Sequence, residues 1–320
     1  MIDLSIVIPV YRSEDSIQLL LKELSWISIT GDYEVVFVND CSPDSSREKL
    51  LEEFSNYPNH NFVLVDLSKN FGEHNAVMAG LRQAQGEYVV TMDDDLQNPI
   101  DEAVRLYEYT KDNHCDVVFS YYKNKQHNYF RNLGSKFTNY MLSNVTQKPR
   151  DLYLSSFRCF NRSIVDKVVQ YKGPYPYVDG IILQHTDNID RLLVKHSNRE
   201  IGSSSYSVKK LVRLWMITFV NFSVLPLRLA SLVGGCLSVI SFIMIIYTLI
   251  EYFFKGSLPD GWTSLFFALL LFSGVQLLSL GLIGEYIGRI YLTLNHKPQY
   301  SVSRVYKNDE KQSYGAKCEN

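Results

Sequence analysis

Two long stretches without a charged residue constrain this chain more than any other feature. Residues 229–250 and 262–284 each run for about 22 residues with no Asp, Glu, Lys or Arg, enough for a helix to cross a bilayer. The segment between them, 251–261, carries Glu251, Lys255 and Asp260 with the turn former Pro259. Both outer flanks are basic: Lys209, Lys210, Arg213 and Arg228 before the first stretch, Arg289, Lys297, Arg304 and Lys307 after the second. An excess of Lys and Arg on both outer sides predicts a two-helix membrane hairpin with both termini in the cytoplasm. The alternative, two core helices of a soluble protein, leaves the matching basic flanks unexplained. Residues 207–222 (SVKKLVRLWMITFVNF) join cations to Trp215. That pattern suits a helix lying on an anionic leaflet, although a solvated linker has the same composition.

The preceding 200 residues read differently. Short apolar runs at 4–10 (LSIVIPV), 33–38 (YEVVFV), 62–67, 88–92 and 117–120 alternate with stretches of helical periodicity at 16–26, 47–54, 73–85 and after Pro99. This alternation predicts an α/β fold, a mostly parallel sheet with helices on both faces. Ligands of such sheets bind beyond the carboxyl ends of the strands, where the polar loops after Val10, Val38, Leu67 and Met92 fall. From 131 to 198 the pattern loosens, with helix-like pieces at 131–145 and 163–171 and a strand expected at 191–196.

The net charge of −2 offers no electrostatic footprint for nucleic acid. Five cysteines, an odd number with no pair at C-x-x-C spacing, support neither a disulfide framework nor a zinc site. The N-terminus has no basic leader and enters a strand pattern directly, so no signal peptide is expected.

The sharpest chemical feature is Asp93-Asp94-Asp95-Leu96-Gln97 at the end of the buried run 88–92. Carboxylates at i and i+2 on a strand end can hold one Mg²⁺ or Mn²⁺, whose remaining ligands come from substrate phosphates and water. A solvated acidic loop is the bland alternative. Asp40, after the second strand, serves either as an acceptor for a nucleobase or as an N-cap or Asx turn leading to Arg47. His74 either faces the cleft or is a satisfied, partly buried histidine. Arg131, Lys136 and Arg158 suit a phosphate acceptor in charge, and are equally ordinary surface cations.

The runs Val7-Ile8-Pro9-Val10-Tyr11, Val38-Asn39-Asp40-Cys41-Ser42-Pro43-Asp44 and Asp93-Asp94-Asp95-Leu96-Gln97-Asn98-Pro99 resemble family-2 glycosyltransferases of the GT-A fold. Residues 70–80 (NFGEHNAVMAG) and 284–291 (GEYIGRIY) are similar to the polyprenyl-phosphate branch of that family. It contains bactoprenol glucosyltransferases, undecaprenyl-phosphate aminoarabinose transferases and dolichol-phosphate mannose synthases. The resemblance implies that Pro9, Tyr11 and Asp40 hold the nucleotide base, with Asp94 and Gln97 completing the donor site. It implies Asp93 and Asp95 as ligands of Mg²⁺ or Mn²⁺, and Arg131 and Arg158 as cations near the transferred phosphates. The chain departs from the pattern in places. Arg12-Ser13 stands where Asn-Glu is usual, and Asn39 replaces a frequent Asp. Ser156 stands where some relatives carry an Asp, which argues against a base there. Ser204-Ser205-Tyr206 lacks a customary lysine, for which Lys209 is the substitute.

The combined expectation is a cytoplasmic GT-A catalytic domain (1–206), an interfacial helix (207–223), a membrane hairpin (224–290) and a cytoplasmic tail (291–320). Its reaction is inverting transfer of a sugar, by default glucose from UDP-glucose, onto undecaprenyl phosphate at the inner membrane, for decoration of lipopolysaccharide or another envelope glycan. A homo-oligomer, a tetramer by analogy with near relatives, is part of this expectation. The rivals are a silent membrane scaffold that only binds nucleotide or a partner, a processive polysaccharide synthase, and a lipid flippase. The second lacks its Gln-x-x-Arg-Trp motif and the third its many spans.

Overall fold

The computed structural model describes residues 2–122, 154–195, 261–295, 297–308 and 310–314, with scattered residues between 230 and 254. The chain divides into two compact units, Met1–Tyr206 with Lys297–Asn320, and Ser207–His296.

In the first unit the elements run β1 (Leu4–Val10), α1 (Ile17–Leu24), β2 (Tyr33–Asn39), α2 (Ser46–Phe54), β3 (Phe62–Leu67), α3 (Glu73–Gln83), β4 (Tyr88–Thr91), α4 (Ile100–Asp112) and β5 (Val117–Tyr121). After a break come β6 (Arg158–Asn161), α5 (Arg162–Val168), α6 (Val178–Leu183) and β7 (Ile189–Leu193). Near the C-terminus lie β8 (Val302–Lys307) and β9 (Glu310–Tyr314). Among the described residues these strands form one sheet in the order β7-β5-β6-β4-β1-β2-β3-β8-β9.

The centre of the sheet is parallel: β1 pairs with β2 and β4, and β2 with β3. These strands are buried along nearly their whole length, as a sheet covered on both faces requires. Strand alternation decides which helix covers which face. Ile6, Ile8, Val35, Phe37 and Leu64 join the side chains of α1, α2 and α4 in one core cluster. Val7 and Val38 have the opposite parity and meet α3 on the other face, at Gly80, where a Cβ would collide with Val7.

Antiparallel β6 is inserted between β4 and β5, a strand that the sequence pattern did not reveal. It is only four residues long and starts with Arg158. The segment expected as a tail instead supplies β8, antiparallel to β3, and β9 beyond it. Residues leading into β8 are tied to the same unit: Gln299 Nε2 donates to the carbonyl of Gly173 at 3.0 Å, and Arg82 stacks on and hydrogen bonds to Tyr300.

In the second unit α7 runs from Trp262 to Leu294 as a single helix of 33 residues. Its segment Leu271–Leu294 is long and apolar enough to cross a membrane by length and composition. It extends about ten residues beyond the charge-free stretch and takes in Glu285 and Arg289. Of the first expected span, the described residues between 230 and 254 are helical. The remainder, and the expected interfacial helix, lie outside the described residues.

Candidate active site

The loops after β1, β2 and β4 converge at the carboxyl edge of the sheet. Three of the four non-glycine residues with positive φ among the described residues lie there: Arg12 at 59°, Cys41 at 51° and Leu96 at 58°. Such left-handed residues cost about 1–3 kcal/mol each and persist where surrounding contacts over-determine them.

Those contacts come from the carboxylates. Asp94 accepts a hydrogen bond from the Tyr11 N–H at 3.3 Å and a short one from the Ser13 hydroxyl, so it fastens the β1 loop to the β4 loop. Asp40 accepts from the N–H groups of Phe71 and Gly72 at 2.7 and 2.8 Å. It thus closes the start of α3, where the helix dipole favours an anion. Ser45, not Asp40, is the N-cap residue of α2, so the alternative of an Asp40 cap leading to Arg47 does not hold. Pro9 lies within β1, and Tyr11 is exposed at the cleft, with the Arg12 guanidinium 5.5 Å above its ring.

Asp93 accepts from the Ser156 hydroxyl at 2.8 Å, while the Ser156 carbonyl accepts from the Thr91 hydroxyl. Asp95 accepts from the N–H of Gln97 at 3.2 Å. No group of three or more His, Cys, Asp or Glu with metal-ligand geometry occurs among the described residues. Two oxygen donors without a third suit a hard divalent cation that takes its other ligands from phosphates and water. Asp93 and Asp95 therefore fit Mg²⁺ or Mn²⁺ by donor type.

The electrostatics are those of crowded carboxylates. Burial pushes Asp94 up to about 6, opposed by the Ser13 and Tyr11 hydrogen bonds and helped by the charges of Asp93 and Asp95. Burial also raises Asp40 despite its two N–H donors. Glu73, the first residue of α3, rises to about 7 through desolvation and then the charge of Asp93, with Arg158 opposing. Glu73 is exposed to solvent.

Arg158 is not a free surface cation. It is 2% exposed, forms a very short ion pair with Asp179 of α6, and lies 5.5 and 5.9 Å from the rings of Phe160 and Phe119. Burial lowers its pKa to about 10, so it remains charged at neutral pH. A phosphate reaching Arg158 would have to share it with Asp179. His74 packs edge-on against Tyr177 at 5.4 Å, and burial, then the charge of Arg158, brings it down to about 4. It is a neutral, half-buried histidine at physiological pH. Arg131, Lys136 and Lys209 lie outside the described residues.

The structure thus brings Pro9, Tyr11, Asp40, Asp93, Asp94, Asp95 and Gln97 to one edge of the sheet. Sequence reasoning passed over Ser13, Tyr177 and Asp179. Asp179 alone left a trace, as one carboxylate inside the apolar run Val178-Asp179-Gly180-Ile181-Ile182-Leu183, since a charge there must find a partner.

Residues 5–170 match Glycosyl transferase family 2, and residues 225–290 match the GtrB C-terminal hairpin. The chain belongs to glycosyltransferase family 2. Among similar proteins, the undecaprenyl-phosphate 4-deoxy-4-formamido-L-arabinose transferase of Proteus mirabilis is 34% identical, covering 94% of this chain and 93% of that protein. The transferase of the same name from Pectobacterium carotovorum is 35% identical over 95% of this chain and 93% of its own length. Among solved structures, glucosyl-3-phosphoglycerate synthase from Mycobacterium tuberculosis, in complex with Mn²⁺, UDP-glucose and phosphoglyceric acid, superposes with a TM-score of 0.51. It shares 15% identity and covers 69% of this chain and 78% of that one; at that identity the likeness concerns the fold alone. The mostly parallel sheet with helices on both faces is the GT-A arrangement expected from the sequence, and this glycosyltransferase places its acidic motif at the carboxyl edge of that sheet.

Proposed function

We propose that this glycosyltransferase moves a sugar from a nucleotide-sugar, UDP-linked, onto the phosphate of a polyprenyl lipid, undecaprenyl phosphate in a bacterium. The observation that carries the reading is the near full-length similarity to the undecaprenyl-phosphate transferases of Proteus and Pectobacterium, which spans both the catalytic unit and the apolar C-terminal segment. Glucose is the default sugar; the names of those relatives favour a modified pentose, 4-deoxy-4-formamido-L-arabinose, as the second donor to test.

A lipid phosphate is already anionic near neutral pH, so attack on the anomeric carbon needs no strong base. Ser156, which donates its hydroxyl proton to Asp93, is not one. The chain's own contribution is positioning. Asp94 holds Tyr11 and the β1 loop, Asp40 fixes the start of α3, and both leave the base and ribose side of the cleft ordered before the donor arrives. Asp93 and Asp95 would hold a divalent cation, which supplies charge neutralisation for the departing diphosphate. In this reading Arg131, Arg158 and Lys209 are the cations that meet the acceptor phosphate.

Membrane attachment is supported by the apolar helical segment Leu271–Leu294 and the match to the GtrB C-terminal hairpin, and the topology of the sheet constrains it. The chain leaves the catalytic unit after residue 206 and returns to pair β8 with β3. A segment that crosses a bilayer and comes back to the same sheet crosses an even number of times, as a hairpin does. The reading places the catalytic unit on the cytoplasmic face of the inner membrane and includes a homo-oligomer, for which native mass measurement in detergent is the check.

The test uses full-length protein in detergent with undecaprenyl phosphate and a panel of labelled nucleotide-sugars, scoring label extracted into the organic phase. Transfer from one donor, lost with chelator and in Asp95→Asn, establishes the reaction and names the sugar. Binding of UDP with no transfer from any donor instead supports the silent scaffold.

A further inference from the structure

Glu73 occupies a singular position in the cleft. The residues on either side of it are anchored: Gly72 and Phe71 by the Asp40 carboxylate, His74 by the Tyr177 ring. Asn75 and the residues after it in α3 are buried through Leu81, whereas Glu73 is exposed. Exposure here does not mean the outer surface. Asp40, just after β2, holds the N–H groups of Phe71 and Gly72, so the start of α3 and with it Glu73 lies at the same carboxyl edge of the sheet as the acidic motif.

A carboxylate at this point needs a partner, and the described residues offer it no ion pair within 4.0 Å; the nearby cation, Arg158, is engaged by Asp179. An ionised carboxylate only accepts hydrogen bonds. Its ionised form, about half the population at neutral pH and the major one above it, would repel the donor diphosphate and the acceptor phosphate alike, so neither is the ligand of that form. What fits is a neutral group rich in O–H or N–H donors placed next to the diphosphate, and the glycosyl group of the donor is such a group.

We propose that Glu73 reads the transferred sugar, accepting hydrogen bonds from its hydroxyl or amide N–H groups, and so sets which nucleotide-sugar the enzyme uses. This rests on the glycosyl-transfer reading above and adds to it a specificity-determining residue outside the acidic motif. The competing role, a further ligand of the divalent cation, makes different predictions.

The experiment compares wild type, Glu73→Gln and Glu73→Asp as full-length protein in detergent. Transfer kinetics are measured with UDP-glucose, UDP-galactose, UDP-xylose and UDP-4-deoxy-4-formamido-L-arabinose, and binding of UDP with Mn²⁺ by calorimetry. Glu73→Gln should leave UDP affinity within about twofold and lower kcat/KM for the best donor by about 10- to 100-fold, as loss of a hydrogen bond to a charged group does. It should also change the ratio between the best and second donor by at least about tenfold, because replacing one acceptor oxygen by a donor suits a different sugar. Glu73→Asp should recover part of the original ranking. An equal loss for all four donors, or a parallel loss of UDP and Mn²⁺ binding, overturns the proposal, as does unchanged selectivity. If wild type transfers no sugar at all, it is the glycosyl-transfer reading that fails. The affinity gained by each UDP-sugar over UDP then decides on Glu73: a gain erased in Glu73→Gln sustains its role, and a gain retained, or absent in wild type, ends it.

Discussion

Replacing Asp179 by Asn removes the anion that neutralises the most deeply buried cation beside the active site. Arg158 is 2% exposed, its guanidinium is flanked by Phe119 and Phe160, and its Nε has no hydrogen-bond partner among the described residues. Breaking a buried pair by removing one partner costs about 3–5 kcal/mol, because the other charge stays behind without compensation. Here Glu73 and Asp93 already contribute favourable charge to Arg158, which brings the expectation to the lower end, about 3 kcal/mol. For a domain of this size each kcal/mol moves the midpoint by about 2–4 °C, so thermal unfolding of the detergent-solubilised chain should fall by roughly 6–12 °C. The double variant Arg158→Leu/Asp179→Leu removes both charges and should lose clearly less than the sum of the two single variants. In Asp179→Asn the released guanidinium turns toward Asp93 and competes with a cation there, so half-maximal transfer should require more Mn²⁺. A midpoint lowered by less than about 2 °C, or additive losses in the double variant, would refute the reasoning that the pair is a mutually dependent unit.

Three further outcomes are expected. Gly72 has φ +90° and ψ 156°, a region open essentially to glycine alone, and a Cβ there meets none of the described residues within 4 Å; Gly72→Ala should therefore cost about 1–3 kcal/mol through backbone strain and weaken UDP binding by loosening the Asp40 contact, both measurable by thermal shift and calorimetry. Asp94 is raised to about 6, so at pH 7 the folded state holds an ionised carboxylate that the unfolded chain would ionise more readily. Without metal, Asp94→Asn should stabilise the protein by up to about 3 kcal/mol at pH 7 and progressively less as the pH falls through 6 toward 4. His74 has the opposite linkage: lowered to about 4, it stays neutral in the fold while the unfolded chain takes up a proton below 6.5. Wild type should lose up to about 3 kcal/mol between pH 6.5 and 4 relative to His74→Gln, and equal pH profiles for the two proteins would contradict this.

What the sequence made legible follows from what it encodes locally. The parallel strands announced themselves because burial on both faces demands near-continuous apolar runs such as Leu4–Val10 and Phe62–Leu67, each with a single polar residue, Ser5 and Asp66. Strand β6 did not, because Arg158-Cys159-Phe160-Asn161 is short and opens with a charge; the ion pair with Asp179, some twenty residues on, helps make that arginine tolerable in the core. The acidic motif was visible as a motif, but the division of labour within it was not. Asp94 ties two loops together, while Asp93 accepts from Ser156 and Asp95 from the Gln97 N–H, and nothing in Asp-Asp-Asp distinguishes them. Likewise Asp40 was recognisable as a cleft residue, yet its partners are N–H groups some thirty residues away, a contact set by tertiary packing.

Strand β8 gives the catalytic sheet an unusual history. Its partner β3 ends at Leu67, but β8 begins only at Val302, after the long apolar helix has been made. At ribosomal speeds of about 5–20 residues per second, the outer edge of β3 waits for roughly 10–50 seconds with its N–H and C=O groups unpaired. The parallel centre of the sheet therefore emerges long before the sheet can be completed. Under the proposed membrane attachment, a nascent chain that stalls at the bilayer would keep a sticky, unfinished sheet, and insertion of the apolar segment would become a checkpoint on the maturation of the catalytic unit.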